Sequence, residues 1–241
     1  NAMDIGNFLR ANMASADLSW MRQQAMLIPA NPTAFGTAVV KSLRTLWSKK
    51  YGDELMDAIY QSDLYKKVYA ETGADFLRPM PDSVLGHLSE SGEDFMALAL
   101  VKGQTELRPF QRLAHYLPWI RISARAHVIG SNPLNWRIYE DFYKKMIRIR
   151  VEISAGRLPM PTGDKVHSLE KEMKLFAKML ADMSGRGELG PLKAISPGLN
   201  AGLFSLRLTL GRLLTPRHLN FWHESKYVRN AAWKNFASFV G

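Results

Sequence analysis

Two features recur along this chain: residues that begin helices, and apolar side chains spaced three or four positions apart. Asparagine precedes proline at Asn31-Pro32 and again at Asn132-Pro133. Asparagine in that position can cap free backbone amides, and proline suits the first helical position. The alternation of polar and apolar residues that is typical of strands is scarce. The chain is therefore predicted to be all-α, an irregular multi-helix bundle of about eight to ten helices.

The first third of the chain carries four predicted helices, each between a start and a stop signal. They are a helix over 17–28 that ends at Pro29, a helix from Asn31-Pro32 to the basic pair Lys49-Lys50, a helix opened by Asp53, and a helix capped by Ser62-Asp63 that ends at Thr72-Gly73. Residues 73–94 are rich in Gly, Pro, Asp and Ser and are predicted to be a loop. We expect a single helical domain over 1–241, with a possible internal boundary in the loop 73–94.

The second half carries further predicted helices with inward-facing apolar stripes. They are a helix over 108–130 broken at Pro118, a helix begun by Asn132-Pro133 that ends near Gly156, a helix capped by Ser168 with the stripe Leu169, Met173, Phe176, Leu180 and Met183, a leucine-rich helix begun by Ser196-Pro197, and a last helix capped by Ser225 with Val228, Ala232, Phe236 and Phe239 facing in. Leu206, Leu208 and Leu210 also alternate as they would in a strand, so that segment allows both interpretations.

Composition and charge limit which cellular compartment and which kinds of partner we expect for this chain. The chain has no cysteine, which excludes disulfides and thiolate metal sites. No secretory signal opens it, and its longest apolar run, 95–101, is far short of the roughly 20 residues that span a membrane. We expect a cytoplasmic or virion-associated protein, and the abrupt ends lead us to expect a fragment of a longer one. The net charge of +10 favours either internal pairing or a polyanionic partner.

No residue pattern identifies a catalytic, cofactor or metal site. The stretch Gly185-Arg-Gly-Glu-Leu-Gly190 has the spacing of a dinucleotide-binding loop, but a lysine-rich predicted helix precedes it and Pro191 follows, so we expect a helix C-terminus and a turn. His218 and His223 lie too far apart for ligands on one helix face and are expected to be surface or loop residues, as are His115 and His127. The acids Asp53, Glu54 and Asp57 are interpreted as surface groups that suit a helix N-terminus, with catalytic carboxylates as the alternative.

The most credible site in the sequence combines cations with aromatic rings. Cations can hold phosphates, while rings can stack on bases or lie at a lipid interface. The candidate polyanion-binding residues are Arg108, Arg112, Arg121, Arg125, Arg137, Arg207, Arg212, Arg217, Arg229, Lys234, Trp222 and Trp233. The alternative interpretation, about equally weighted, is a core of aromatic residues whose helices carry solvated arginines.

The final quarter of the chain also resembles a known family. A Gly-x-Gly-x-Leu-Gly-Pro-Leu turn, a Phe-Ser-x-Arg-Leu helix, a Leu-x-Pro segment and a closing Val-Arg-x-x-Ala-x-Lys-x-Phe helix are similar to the large polyvalent protein-associated domains of phage, prophage and mobile-element proteins. The matching residues are Gly185, Gly187, Leu189, Gly190, Pro191, Leu192, Phe204, Ser205, Arg207, Leu208, Leu214, Pro216, Val228, Arg229, Ala232, Lys234 and Phe236. The chain departs from that pattern at Leu206, where a proline is expected, and residues 73–130 show no pattern that aligns.

The resemblance implies a non-catalytic helical module within a very long protein that travels with DNA into a recipient cell, with a role in DNA delivery or host takeover. Its partners would be the remainder of that polypeptide. The basic segments leave open a second function, direct binding of nucleic acid or an anionic membrane surface. An enzyme with an unrecognised all-α site is the third possibility.

Overall fold

The computed structural model describes residues 20–21, 24–73, 76–77, 117–159, 167–185, 213–220 and 225–240. Every regular element within these ranges is helical, so the all-α prediction is confirmed for them. The helices are α1 (Pro32–Trp47), α2 (Lys49–Gln61), a π-helical turn (Tyr65–Tyr69) that continues into α3 (Ala70–Thr72), α4 (Pro118–Ser154), α5 (Leu169–Met183), α6 (Pro216–Leu219) and α7 (Lys226–Val240).

The long helix α4 lies at the centre of the described fold and corrects one prediction. Asn132-Pro133 does not begin a helix, because α4 runs unbroken through it for 37 residues, starting with Pro118 at its first position. An interior proline removes one helical hydrogen bond at a cost of about 3 kcal/mol. Burial on several sides offsets this cost: Ile129 and Leu134 are fully buried, and Nδ2 of the buried Asn132 lies 3.6 Å from Sδ of Met56.

Helix α1 begins at Pro32 as predicted, but Asn31 does not act as its side-chain cap. Instead, Nδ2 of Asn31 donates to the carbonyl oxygen of Leu27 at 2.8 Å and to Oδ1 of Asn235 at 3.1 Å. Because Asn235 lies in α7, Asn31 joins the first described turn of the chain to its last helix. This connection over 204 positions in sequence replaces the local role that the pattern predicted.

The boundary between α1 and α2 also differs from the prediction. Lys49-Lys50 begins α2 and does not end α1, and Asp53 lies within the first turns of α2 and does not open it. The physical reason is Ser48, whose extended backbone interrupts the helix and whose Oγ accepts a hydrogen bond from the amide of Tyr51 at 3.2 Å. A single serine cap is thus sufficient to separate two helices with no loop between them.

Several other helix ends are confirmed. Oγ of Ser62 accepts from the amide of Tyr65, and the helical segment that follows ends at Gly73, with a φ of +61°. Helix α4 ends at Ser154, and Gly156 beyond it has a φ of +71°. Both glycines adopt the left-handed conformation that commonly ends helices. Residues 20–21 are helical and 24–30 form turns, so the helix predicted over 17–28 is shown in part.

A cluster of aromatic side chains fills the core between α3, α4 and α5. The rings of Phe142 and Phe176 are parallel, with centroids 3.7 Å apart. The ring of Tyr69 meets those of Phe76 and Tyr139 edge to face, at 4.9 and 5.9 Å. Such pairs contribute beyond the area that they bury. The predicted apolar stripe of α5 faces this core, with Met173, Phe176, Leu180 and Met183 buried and Leu169 packed at its margin.

Helix α7 packs on α5 and α6. One prediction about it is confirmed and another is wrong. Oγ of Ser225 accepts from the amide of Val228 at 3.2 Å, so the predicted cap is confirmed. Val228 and Ala232 are fully buried, but Phe239 is exposed and does not face in. The helix projects beyond its partners over its last turn, which leaves Phe239 in solvent. The leucine-rich helix predicted from Ser196-Pro197 and most of the loop predicted over 73–94 lie outside the described residues.

Candidate functional site

One polar site in the described structure is a buried carboxylate with three nitrogen atoms close to one of its oxygens. Asp182 lies in the last turn of α5 and is 1% exposed. Its Oδ2 accepts from Nη2 of Arg217 at 2.6 Å and from Nε of Arg217 at 3.1 Å. The same oxygen lies 2.6 Å from Nε2 of His218, which is 3% exposed. Charge-assisted hydrogen bonds of this kind are short and strong, so they hold α6 against the end of α5.

A second buried acid performs the same task at the other end of α5. Glu172 is buried in the first turn of that helix, and its Oε2 accepts a short hydrogen bond from Oγ of Ser225. Since Ser225 also caps α7, one hydroxyl group fixes both the start of α7 and its position on α5. The acids Glu172 and Asp182 therefore attach the C-terminal helices to α5 at two points, a pair of contacts that we call the α5 staples.

The chemistry that the staples can perform follows from their burial. A histidine beside an aspartate is the arrangement that orients a general base, but such a base must reach a substrate. Asp182 and His218 are almost completely buried, and the contact between Oδ2 of Asp182 and Nε2 of His218 occupies both of those atoms. Of the three side chains, that of Arg217 is the one with substantial solvent exposure. This arrangement suits the attachment of one helix to another.

The histidine predictions are wrong for the two residues that the structure describes. His218 and His127 were expected at the surface or in loops, yet both are buried. His218 is buried because Asp182, 36 positions earlier, supplies a polar partner inside the core. No pattern in the sequence near His218 indicates that it pairs with Asp182. For the same reason, sequence reasoning did not identify Asp182 or Glu172 as site residues. His115 and His223 lie outside the described residues.

The Gly185 turn follows a helix, as predicted. Helix α5 ends at Met183, the amide of Gly185 donates to the carbonyl oxygen of Asp182 at 3.1 Å, and Gly185 has a φ of +73°. A dinucleotide-binding loop would follow a strand. The remainder of the glycine stretch, 186–190, lies outside the described residues.

The structure places the described candidate polyanion-binding residues on three helices, α4, α6 and α7. Arg125 is buried, and Arg217 is held by Asp182. Arg137 is exposed on α4, where its Nε lies 3.2 Å from Oδ2 of Asp141. Arg229, Trp233 and Lys234 share α7, and Nε1 of Trp233 donates to the carbonyl oxygen of Leu219 at 2.9 Å. The remaining candidates lie outside the described residues or have undescribed side chains: Arg108, Arg112, Arg121, Arg207, Arg212 and Trp222.

Charge is distributed unevenly over the paired helices α1 and α4. No aspartate or glutamate occurs in 32–52 or in 118–139, whereas both segments carry lysine or arginine. Oγ of Ser42 in α1 donates to the carbonyl oxygen of Ala126 in α4 at 2.7 Å, so the two segments lie side by side. We call these two segments the acid-free helix pair; the acids that pair with their cations, Glu54 and Asp141, lie just beyond the segments.

The pKa values of two tyrosines and of one exposed glutamate are shifted from their usual values. Burial, with smaller contributions from Tyr65 and Asp57, raises the pKa of Tyr60 to about 12. Burial likewise raises the pKa of Tyr139 above its usual range. The hydrogen bond from Arg157 lowers the pKa of Glu152. None of these groups adjoins the α5 staples in sequence or in the contacts described above.

The described ranges contain neither a metal-binding cluster nor a membrane-spanning helix. Within them no cluster of three or more His, Cys, Asp or Glu residues is placed to hold a metal ion. No helix there has the length and apolar character needed to cross a bilayer.

Comparison with known proteins adds no family to this geometry. We found no family model, no curated protein and no solved structure that matches the chain.

Proposed function

We propose that this chain is a non-catalytic helical module of a large phage- or mobile-element-derived protein, with a role in DNA delivery or host takeover. The proposal includes the whole chain as one irregular bundle of about eight to ten helices, as its pattern of start signals predicts. It rests on the resemblance of the final quarter to the large polyvalent protein-associated domains.

One observation supports the module interpretation most strongly. Four of the described residues that carry the resemblance have structural positions: Gly185 ends α5, Pro216 begins α6, and Val228 and Ala232 are fully buried in α7. Residues shared for catalysis would be expected to converge on an accessible site. Residues at helix ends and in the core instead determine how the helices pack.

The gene's own locus tests this proposal. We expect the reading frame that contains this chain to be many times longer and to lie among phage or conjugation genes. A split fluorescent reporter then tests delivery, with one fragment fused to the full-length protein in donor cells and the other expressed in recipients. Fluorescent recipients that depend on DNA transfer are expected. A short, free-standing housekeeping gene, or no fluorescence in recipients that have received DNA, would contradict the proposal.

Direct binding of a polyanion is a second candidate function, and the acid-free helix pair favours it. Positive segments with no internal acid attract phosphate-bearing partners, and such binding weakens steeply as salt rises. Retention of the protein on an anionic matrix or on labelled DNA should therefore fall with salt. Retention that does not depend on salt would exclude this candidate.

A further inference from the structure

Helix α1 has an unusual distribution of side chains between its two faces. The fully buried residues of α1 are all small: Ala38, Ser42 and Thr45. The opposite face carries larger apolar residues at positions three and four apart: Val40 is 65% exposed, Leu43 is 40% exposed and Trp47 is 81% exposed. We call these three residues the α1 outer surface. A contiguous apolar surface on a folded protein commonly marks an interaction site.

A second exposed tryptophan lies at the same end of the helix pair. Residue 42 of α1 contacts residue 126 of α4, while Trp20 lies against both Phe35 of α1 and the position of Gly130 of α4. The two helices are therefore antiparallel. The C-terminal end of α1, with Trp47, is thus near the N-terminal end of α4, with the exposed Trp119. Tryptophan is enriched where proteins meet the membrane–water interface.

Cations flank this surface. Lys41 and Arg44 lie in α1, and Lys49 and Lys50 follow Trp47 after Ser48. The first acids after them in the sequence are Asp53 and Glu54 in α2, and Glu54 forms an exposed pair with Lys50 at 3.7 Å. Apolar side chains at the centre with lysine and arginine at the margin are the arrangement of helices that lie in the interface of anionic membranes.

We propose that the α1 outer surface docks on an anionic lipid bilayer. Val40, Leu43 and Trp47 enter the interface, and the flanking cations contact lipid phosphates. The inference rests on polyanion binding, the second candidate function, and names the partner. It concerns a protein that lies on the membrane surface and does not depend on the family resemblance.

The side chains favour lipid over the other two possible partners. Val40 and Leu43 offer nothing to phosphates or base edges, so a nucleic acid would leave them in water, whereas a bilayer interface would cover them. A second copy of the chain would bring one set of cations against an identical set, because this segment has no acids with which to pair them. Of these three partners, the lipid surface alone satisfies both the apolar centre and the positive margin.

Vesicle sedimentation with the full 241-residue chain tests the proposal. We expect retention on vesicles of equimolar phosphatidylcholine and phosphatidylserine, weak retention on phosphatidylcholine alone, and loss of retention as salt rises. Trp47→Ser should lower the vesicle binding constant by about tenfold or more, and Val40→Ser should lower it by a smaller factor, because each removes apolar area from the interface. Val151→Ser is the matched control, since Val151 is 51% exposed near the other end of α4 and should bind like the wild type. Circular dichroism of each variant confirms that the fold is retained.

Each other outcome contradicts the proposal in an identifiable way. Equal retention of Trp47→Ser, Val40→Ser and wild type would show that lipid binding does not use this surface. Salt-sensitive binding to labelled DNA without vesicle retention would overturn the lipid proposal and leave polyanion binding intact. Binding to neither would remove both. A dimer in sedimentation equilibrium that Trp47→Ser dissociates would assign the surface to a second copy.

Discussion

Gly130 in α4 and Trp20 lie so close together that residue 130 has no room for a side chain. A Cβ atom at that position would come within 2.3 Å of Cε2 of the Trp20 indole. Trp20 is buried, and its ring also meets that of Phe35 in α1 at 5.8 Å. The glycine therefore allows one tryptophan to fill the space between α1 and α4.

Gly130→Ala should destabilise the protein by about 1–3 kcal/mol through overpacking, although alanine is the better helix former. Urea unfolding followed by circular dichroism measures the effect. Gly36→Ala is the matched control, because Gly36 is also helical and a Cβ there would meet nothing within 4 Å. That variant should be as stable as the wild type or more stable by up to about 1 kcal/mol. Equal stability of the two variants would show that the Trp20 contact does not restrict residue 130.

Ser225→Ala should cost more than an ordinary cap replacement. It removes the cap of α7, worth about 1 kcal/mol, and leaves the buried carboxylate of Glu172 without this donor, worth about 1–3 kcal/mol more. Ser168→Ala is the comparison, because Ser168 is exposed and its Oγ accepts from the amide of Lys171 at 3.1 Å. Thermal and urea unfolding should rank Ser225→Ala clearly below Ser168→Ala. An equal loss of stability in both variants would show that the hydrogen bond from Ser225 to Glu172 does not stabilise the fold.

Tyr60 should make the fold sensitive to alkali. The pKa of Tyr60 is raised in the folded state from 10.0 to about 12. Below pH 10 both states keep the proton and the group has no effect on stability. Between pH 10 and 12 the unfolded chain releases the proton while the folded chain keeps it, so the free energy of unfolding falls as pH rises.

Tyr60→Phe tests that dependence, because phenylalanine cannot titrate. The free energy of unfolding of this variant, relative to its own value at pH 7, should fall less between pH 10 and 12 than that of the wild type. Some decline should remain, because the pKa of Tyr139 is also raised. Parallel curves for the two proteins over this window would mean that Tyr60 is not shielded in the folded state.

Helix ends that depend on local chemistry could be predicted from the sequence. Gly73 and Gly156 end helices because glycine adopts positive φ at little cost, and Ser168 and Ser225 cap helices through their own hydroxyl groups. Each signal lies within a few residues of the backbone that it affects. The all-α class followed from the same signals.

Features that depend on distant partners could not be predicted in this way. Asn31 bonds to Asn235 in α7, and His218 is drawn into the core by Asp182. Helix α4 continues through Pro133 because the surrounding helices bury it on several sides. In each case a tertiary contact overrides the local preference, and a single sequence does not reveal which distant residue supplies it. The α5 staples belong to this class.

The stability of Asp182→Asn tests most directly whether the polar site on α5 is a structural attachment. As an attachment it should lose about 1–3 kcal/mol of unfolding free energy, since a neutral amide replaces the buried carboxylate that Arg217 and His218 contact. In a double-mutant cycle, His218→Gln should couple to it by at least about 0.5 kcal/mol. Asp141→Asn, at an exposed pair with Arg137, should change stability by less than about 0.5 kcal/mol. Catalytic groups commonly reduce the stability of a fold, so an Asp182→Asn variant more stable than the wild type would contradict the account and point to an active site.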